Sequence, residues 1–243
     1  MKKDFTEYGN LAAFVGVVVL NILATMGVIG GVTTGNVSHM YRSLLTPSDY
    51  AFSIWGLIYV LVGVMVWRQI KNIGIRDKMG YWFFASCILN AAWIFAWQFK
   101  AIGLSFILIF ALLLVLLMLM KSMKDSDTLS KMAVGMYAGW VNVAMLANLG
   151  TVFSRYNWVL LGLSGKVWAV IGLAFGLLWI GYFLFSYSNI YYAIAACWGY
   201  LGIVTASAFQ GIKIMGIVSM VVLAGSIILV LMQKKSIDVE AKY

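Results

Sequence analysis

The chain has 243 residues, of which 63% are hydrophobic and 10% are charged, and its mean hydropathy is +0.96. This composition excludes an ordinary soluble globular protein, in which roughly 25% of residues are charged. The net charge of +9 does not indicate a nucleic-acid partner, because the basic residues lie at the ends of apolar runs rather than on a separate basic patch. The sequence therefore predicts an integral protein of the lipid bilayer that binds no nucleic acid.

Long apolar runs separated by short polar links indicate membrane-spanning helices, which need about 20 residues each. Alternating segments of about ten residues, typical of a membrane β-barrel, are not found. The predicted fold class is therefore all-α, with eight spans. They cover residues 10–30, 50–66, 80–99, 103–120, 132–152, 166–185, 191–208 and 212–232. No small-residue cleavage site follows the first run, so we interpret it as a retained span.

The distribution of lysine and arginine predicts the orientation, because these residues collect on the cytoplasmic side. One side carries Lys2, Lys3, Arg68, Lys71, Arg76, Lys78, Lys121, Lys124, Lys131, Lys234, Lys235 and Lys242. The opposite side carries only Arg42, Lys100, Arg155, Lys166 and Lys213. We expect a multi-pass protein of the cell membrane with both termini in the cytoplasm and the first long loop outside.

Several classes of site have little support. All eight acidic residues fall in tails or links. A carboxylate inside the membrane is typical of proton relays and cation sites, so a proton- or sodium-coupled pump is disfavoured. Cys87 and Cys197 lie inside apolar runs and predict neither a disulfide framework nor a zinc site. His39, the only histidine, is interpreted as a solvated loop residue, with contact to a haem-like ligand as the alternative.

The stretch from residue 41 to residue 68 organises the first five predicted spans. Its loop contains Pro47, the only proline in the chain, and the following span carries Trp55 and Tyr59 one helical turn apart on one face. We interpret residues 47–50 as the lid of a membrane-embedded pocket and the helix after it as one wall. Nothing in the sequence connects this stretch to the last three spans.

Two further spans carry stripes of aromatic and amide side chains at helical spacing. The stripes are Asn90, Trp93 and Trp97 in the third span, and Tyr137, Trp140, Ala144 and Asn148 in the fifth. Amides in hydrocarbon are costly without a partner, so both stripes are expected to face other helices or a cavity. Packing between helices and the lining of a pocket for a flat apolar ligand are equally supported and are not exclusive. Trp67, Trp82, Trp158 and Tyr243 are interpreted as anchors at the membrane interfaces.

These motifs resemble the TspO/MBR family, whose members are also called translocator proteins or tryptophan-rich sensory proteins. Residues 45–59, LTPSDYAFSIWGLIY, resemble the family's proline-containing loop and second helix. Residues 89–93 are similar to its L-N-x-x-W on the third helix, and residues 137–148 to its Y-x-x-W-x-x-x-A-x-x-x-N on the fifth. The resemblance covers roughly residues 9–152.

The chain departs from the family pattern in its loop and in its length. The usual double proline is reduced to Pro47, and the tryptophan expected a few residues later is replaced by the region of Asp49 and Tyr50. The fifth span also lacks a proline before its aromatic stripe. Members usually have five helices, whereas this chain continues. We therefore predict a five-helix TspO-like bundle in residues 1–152, followed by three additional membrane helices and a basic tail in residues 153–243.

The resemblance implies a pocket under the first loop that binds a porphyrin or another small apolar ligand, in a protein that often forms a homodimer. The expected ligand-binding residues are Pro47, Tyr50, Trp55, Tyr59, Asn90, Trp93, Trp97, Tyr137, Trp140 and Asn148. No catalytic or metal-binding set is recognised, and no cofactor is required, a porphyrin or haem being the implied ligand. Three functions stay open: a receptor or carrier of a tetrapyrrole, a transporter of a small metabolite, and a porphyrin-degrading enzyme.

Overall fold

The computed structural model describes the backbone of residues 2–71, 76–156 and 162–240, and the side chains of residues 7–71, 79–156 and 162–236. Several residues used to predict orientation and anchoring lie outside these ranges. They are Trp158, Lys242 and Tyr243, together with the side chains of Lys2, Lys3, Arg76 and Lys78.

Helices account for all the regular secondary structure of the described residues. The elements are α1 (Lys2–Thr25), α2 (Thr34–Met40), the 3-10 helix η1 (Asp49–Ser53), α3 (Ile54–Ile70), α4 (Arg76–Gln98), α5 (Ile102–Ser122), α6 (Thr128–Tyr156), α7 (Gly165–Tyr187), α8 (Ile190–Ala206) and α9 (Gln210–Glu240). Seven described segments have the length and hydropathy of a membrane span, and α8, with 17 residues, is shorter. Since 17 residues is about the lower limit for a spanning helix, the prediction of an all-α fold with eight spans is confirmed.

The first long link contains two elements that the sequence did not predict. Thr33 caps the seven-residue helix α2, because its Oγ1 accepts a hydrogen bond from the Asn36 backbone N–H at 3.1 Å. After Pro47, η1 comes before α3, so the second membrane helix begins at Ile54 rather than at Tyr50. A helix of seven residues such as α2 is unstable alone and too short to show a periodic pattern in the sequence. Its cap at Thr33 and its packing against α1 and α4 stabilise α2.

Apolar side chains cover the outside of the bundle. Val60, Ile107, Leu178 and Val221 are between 63% and 72% exposed, and they lie on four different helices. Such a surface is unsuited to water but is what a helical membrane protein presents to lipid. Together with the lengths of the helices, it identifies a multi-pass membrane protein embedded in a lipid bilayer.

The central helix of the bundle is α6. It packs against α3, α5, α7 and α8, and most of its side chains are buried. Small residues on its surface allow neighbouring helices to approach closely. At Gly139 there is no room for even one more carbon: a Cβ would overlap the Tyr192 backbone oxygen and lie 2.9 Å from the Ala195 Cβ. Direct backbone proximity therefore sets the position of α8 against α6.

The second core helix is α8, which also packs against α7, α9 and η1. Tyr192 and Tyr200 on this helix are fully buried. The Asn142 Nδ2 group of α6 donates a hydrogen bond to the Tyr192 hydroxyl at 2.6 Å. The predicted boundary between residues 152 and 153 falls within α6, and the division of the chain into two parts stays a prediction.

At the end of the bundle that contains the N-terminus, an ion pair joins α3 to the start of α6. Arg68 Nη1 lies 2.7 Å from Asp127 Oδ1. Asp127 also accepts hydrogen bonds from the backbone N–H groups of Leu129 and Ser130 and from the Ser130 hydroxyl. Burial raises the pKa of the Asp127 carboxyl, but the hydrogen bonds from Ser130 and Arg68 outweigh this and hold the pKa below its ordinary value.

Alanine in place of Asp127 should lower the free energy of unfolding by about 1 kcal/mol at neutral pH, because α6 loses its cap and Arg68 its partner. The lowered pKa means that this stabilisation is present above the ordinary carboxyl pKa of about 3.9 and is lost as the pH falls through the folded value. Unfolding of the purified protein in detergent, measured from pH 7 downward, tests both statements.

The control for this variant is alanine in place of Asp49, whose side chain is 78% exposed and pairs with His39 at 2.9 Å. A surface pair contributes little, so its loss should have a smaller effect. Equal losses in the two variants, or a difference between native protein and the Asp127 variant that stays constant at low pH, would contradict the prediction.

Candidate functional site

Many of the predicted ligand-binding residues meet around a small cavity under the lid, enclosed by α2, α3, α4 and α6. We call it the central cavity, and its volume is about 40 Å³. The predicted residues in its lining are Pro47, Trp55, Trp93, Trp97, Trp140 and Asn148. The structure places Tyr50, Tyr59, Asn90 and Tyr137 outside the lining.

The lining also contains residues that the sequence reasoning missed. They are Thr34, Ser38, Thr46, Phe52, Ala147 and Thr151, while Ala144 was already part of the fifth-span stripe. A signal existed for the two on α6, because Ala147 and Thr151 continue the helical spacing of the stripe beyond Ala144. No signal existed for Thr34 and Ser38, because the helix that carries them was not predicted.

Trp55 is at the centre of an aromatic cluster that joins α3 to α6. Its ring stacks on Tyr59, with the centroids 5.3 Å apart and 21° between the planes. It meets Tyr137 and Trp140 edge-on, at centroid distances of 5.9 and 6.4 Å. Phe52 contacts Trp140 at 5.7 Å in the same manner. All these geometries are favourable for aromatic rings, so the cluster forms a preassembled apolar wall.

Asn90 and Tyr137 belong to a chain of hydrogen bonds between helices. Asn21 Nδ2 of α1 donates to Asn90 Oδ1 at 3.1 Å, and Asn90 Nδ2 donates to the Tyr137 hydroxyl at 2.8 Å. The chain connects α1, α4 and α6 and pairs both polar ends of the buried Asn90 amide. Its geometry is that of helix packing, which was one of the two interpretations of these residues.

Asn148 and the paired indoles form the other side of the cavity. Trp93 Nε1 donates to Asn148 Oδ1 at 3.4 Å, and the Ser105 hydroxyl donates to the same oxygen at 3.1 Å. Trp93 stacks on Trp97 with centroids 6.0 Å apart and 24° between the planes. Trp97 Nε1 donates to the Thr34 backbone oxygen at 3.2 Å. These bonds fix two parallel indole rings at the cavity.

Two polar atoms of lining residues have no hydrogen-bond partner among the described residues. One is the indole N–H of Trp140, whose side chain is 1% exposed, and the other is the hydroxyl oxygen of Thr34. A buried polar group left unpaired costs roughly 1–3 kcal/mol. A ligand that brings an acceptor to Trp140 would recover this cost. The cavity therefore suits an apolar molecule with a polar acceptor better than a plain hydrocarbon.

The lid and the residue after it are held against α8. The Ser48 backbone N–H donates to the Gly202 carbonyl oxygen at 2.9 Å. Trp198 Nε1 donates to the Ala51 carbonyl oxygen, also at 2.9 Å. Pro47 itself is buried. No feature of the sequence connected the lid to the last three spans, yet α8 supplies the surface on which it rests.

Tyr50 contacts α8 rather than the cavity. Its ring lies edge-on to Trp198 at a centroid distance of 5.5 Å, and its hydroxyl is 3.2 Å from Thr205 Oγ1. The side chain of Tyr50 remains 43% exposed. On the other flank of the lid, Asp49 pairs with His39 of α2. Tyr50 and Asp49 thus position the lid, and His39 contacts a carboxylate.

The side chains that the structure describes contain no group of three or more histidine, cysteine or acidic residues that could hold a metal ion. Cys87 and Cys197 are both free thiols. The groups that the central cavity offers to a ligand are aromatic rings, the Asn148 amide and the hydroxyl groups of its serine and threonine residues.

Comparison with known families agrees with this architecture. The chain matches the family model described as TSPO-like protein over residues 7–233. No curated protein and no solved structure gives a significant match. The matched range extends well past the motif-bearing residues 9–152 and includes all of α7 and α8 and most of α9. The chain therefore belongs to the TSPO-like protein family.

Proposed function

We propose that this protein is a membrane receptor or carrier that binds one flat apolar molecule with polar acceptor groups, of the tetrapyrrole class, in the central cavity. The observation that carries the proposal is the unpartnered indole N–H of Trp140, a residue that lines the cavity together with four further aromatic side chains. A porphyrin has a ring face that can stack on indoles and carboxylates that can accept from this N–H. Membership of the TSPO-like family supports a binding role.

The proposed ligand requires the cavity to open. A volume of about 40 Å³ accommodates only a few water molecules, whereas pockets for drug-sized ligands have roughly 300–1,000 Å³. Two groups are able to give way. The lid is held on α8 by hydrogen bonds at Ser48 and Ala51 and by the exposed Tyr50, and no covalent bond fixes it there. The rings of Phe52 and Trp55 are only partly buried. We therefore propose that binding is coupled to displacement of the lid and rotation of these rings.

Within this proposal each cavity residue has a distinct role. Trp93 and Trp97 offer parallel ring faces for stacking, and Trp140 donates to an acceptor of the ligand. Asn148 orients Trp93 by accepting its indole N–H, so it acts as a positioning residue. The distribution of lysine and arginine supports an orientation with the lid outside the cell and both termini in the cytoplasm.

The test is a titration of the purified protein with protoporphyrin IX, read by tryptophan quenching and by the porphyrin absorption band. We expect saturable binding that weakens at least roughly tenfold when Trp93 and Trp140 are both replaced by alanine, because buried indoles dominate such contacts. Phenylalanine in place of Trp140 keeps a ring but removes the N–H, and it should cause a smaller loss. Alanine in place of Trp67, which is 54% exposed at the far end of α3, should cause none.

Two results would reject the proposal: no saturable binding by the native protein, or unchanged binding by a double variant that still unfolds cooperatively. The same experiment separates the other functions that the sequence left open. Loss of porphyrin with time would indicate a porphyrin-degrading enzyme. Flux of the ligand across proteoliposomes would indicate a transporter. Cross-linking of the purified protein tests a homodimer.

A further inference from the structure

A larger cavity, the α6–α8 cleft, lies where the C-terminal ends of α6 and α8 meet the N-terminal end of α7. Its volume of about 630 Å³ is within the range of roughly 300–1,000 Å³ that is typical of ligand pockets. The described residues that line it are 42–46, 149, 150, 153, 154, 165, 168, 169 and 206–208. Only Thr46 is shared with the lining of the central cavity. The cleft is thus a separate candidate site, to which the TspO/MBR resemblance assigns no residue.

The floor of the cleft is apolar and flat. Phe153 of α6 and Trp168 of α7 stack with their ring centroids 6.1 Å apart and only 12° between the planes. Leu45 and Ala169 next to them are 2% and 7% exposed. Such a surface accommodates the hydrocarbon or aromatic part of a ligand and excludes water from it.

The loop that forms one edge of the cleft is firmly placed. The Ser154 hydroxyl donates to the Arg42 carbonyl oxygen at 3.3 Å, and the Ser43 backbone N–H donates to Thr46 Oγ1 at 2.9 Å. A Cβ at Gly150 would overlap the Ser43 hydroxyl, so the loop lies directly on α6. Arg42 therefore starts from a fixed backbone position at the rim.

Among the described residues that line the cleft, Arg42 is the only charged one and none is acidic. Two nearby cations make cation–π contacts with aromatic rings. The guanidinium of Arg155 lies 5.7 Å from the centroid of the Tyr41 ring, and Lys166 Nζ lies 5.4 Å from the centroid of the Phe209 ring. The guanidinium of Arg42 has no carboxylate or ring partner among the described side chains. It is free to bind an anion.

We infer that the α6–α8 cleft binds an amphiphile with one anionic headgroup, whose apolar body lies on Phe153 and Trp168 and whose headgroup pairs with Arg42. A guanidinium binds carboxylate or phosphate oxygens through charge-assisted hydrogen bonds. The cleft thus has the two features such a molecule needs, an apolar floor and a cation at its edge. This inference does not depend on what the central cavity binds.

Calorimetric titration of the full-length protein with laurate, in a neutral maltoside detergent, tests the inference. We expect one saturable site for laurate and weaker binding of dodecanol, which has the same chain without the charge. Glutamine in place of Arg42 should weaken laurate binding at least about tenfold and remove the preference over dodecanol. Glutamine in place of Lys100, a cation at the same end that does not line the cleft, should change nothing.

A second variant tests the floor. Tryptophan in place of Ala169 fills the cleft and should abolish binding of both compounds, whereas the central-cavity variant with alanine at Trp93 and Trp140 should bind laurate normally. Displacement of laurate by lysophosphatidylglycerol would extend the anionic class from carboxylate to phosphate headgroups. Equal affinity for laurate and dodecanol, an unchanged affinity in the Arg42 variant, or loss of laurate binding in the central-cavity variant would overturn the inference.

Discussion

Leucine in place of Gly139 should destabilise the folded bundle by about 3 kcal/mol or more, because it inserts a branched side chain between two helices that touch through their backbones. The first added carbon would overlap the carbonyl oxygen of Tyr192. A backbone oxygen inside a helix cannot rotate away as a side chain can, so the whole of α8 must move. That movement would also break the 2.6 Å hydrogen bond between Asn142 and Tyr192.

The matched control is leucine in place of Gly181 on α7, where a Cβ would meet no heavy atom within 4 Å. This variant should be as stable as the native protein or slightly more stable, since leucine favours a helix over glycine by up to about 1 kcal/mol. Thermal unfolding in detergent compares the two. If the Gly139 variant unfolds at the temperature of the Gly181 variant, the close α6–α8 contact is not what stabilises the bundle.

Leucine in place of Gly202 should release the lid from α8. A Cβ at this position would lie 2.7 Å from the Ala51 Cβ and 3.0 Å from the Pro47 Cβ. The lid must therefore move outward, and the hydrogen bond from the Ser48 N–H to the Gly202 oxygen must lengthen or break. We expect the Ser48 amide to exchange with solvent at least roughly tenfold faster, because one lost hydrogen bond is worth about 1 kcal/mol or more.

Hydrogen exchange read by mass spectrometry over the peptide that contains residues 45–53 measures this effect. If the lid controls entry to the central cavity, protoporphyrin should also associate faster with this variant. Leucine in place of Gly56 is the control, because a Cβ there would meet no heavy atom within 4 Å although the residue lies close to the lid along the chain. If the peptide of the Gly202 variant exchanges hydrogen at the same rate as that of the native protein, the position of the lid does not depend on its contact with α8.

The indole-bearing helix faces that line the central cavity were predictable because their residues obey a local rule. Trp93 and Trp97 are four residues apart, as are Trp140 and Ala144, so each pair lies on one face of its helix whatever the rest of the chain does. An apolar face with polar tips must be turned away from lipid, and the bundle interior is the remaining place for it. The same rule does not extend to Tyr50, which lies before α3 in η1, where the spacing of an α-helix does not apply, and which the structure places outside the lining.

The pairing of side chains inside the bundle was not predictable. The sequence left open whether Asn90 lines a pocket or joins helices. Its partners, Asn21 and Tyr137, lie 69 and 47 residues away along the chain. Helical periodicity gives the face of a helix on which a residue lies but not the residue of another helix that it meets. Only the packing of α1, α4 and α6 decides this.

The amino-acid sequence by itself determined that this is an all-helical membrane protein with eight spans, because the thickness of the hydrocarbon fixes the length of each apolar run. It also determined which faces of three helices carry indoles and amides. Only the tertiary structure decided that α8 packs directly on the central helix α6 and holds the lid. The residues responsible, Gly139 and Gly202, act by their lack of a side chain, and a missing side chain has meaning only when the atoms that approach it are known.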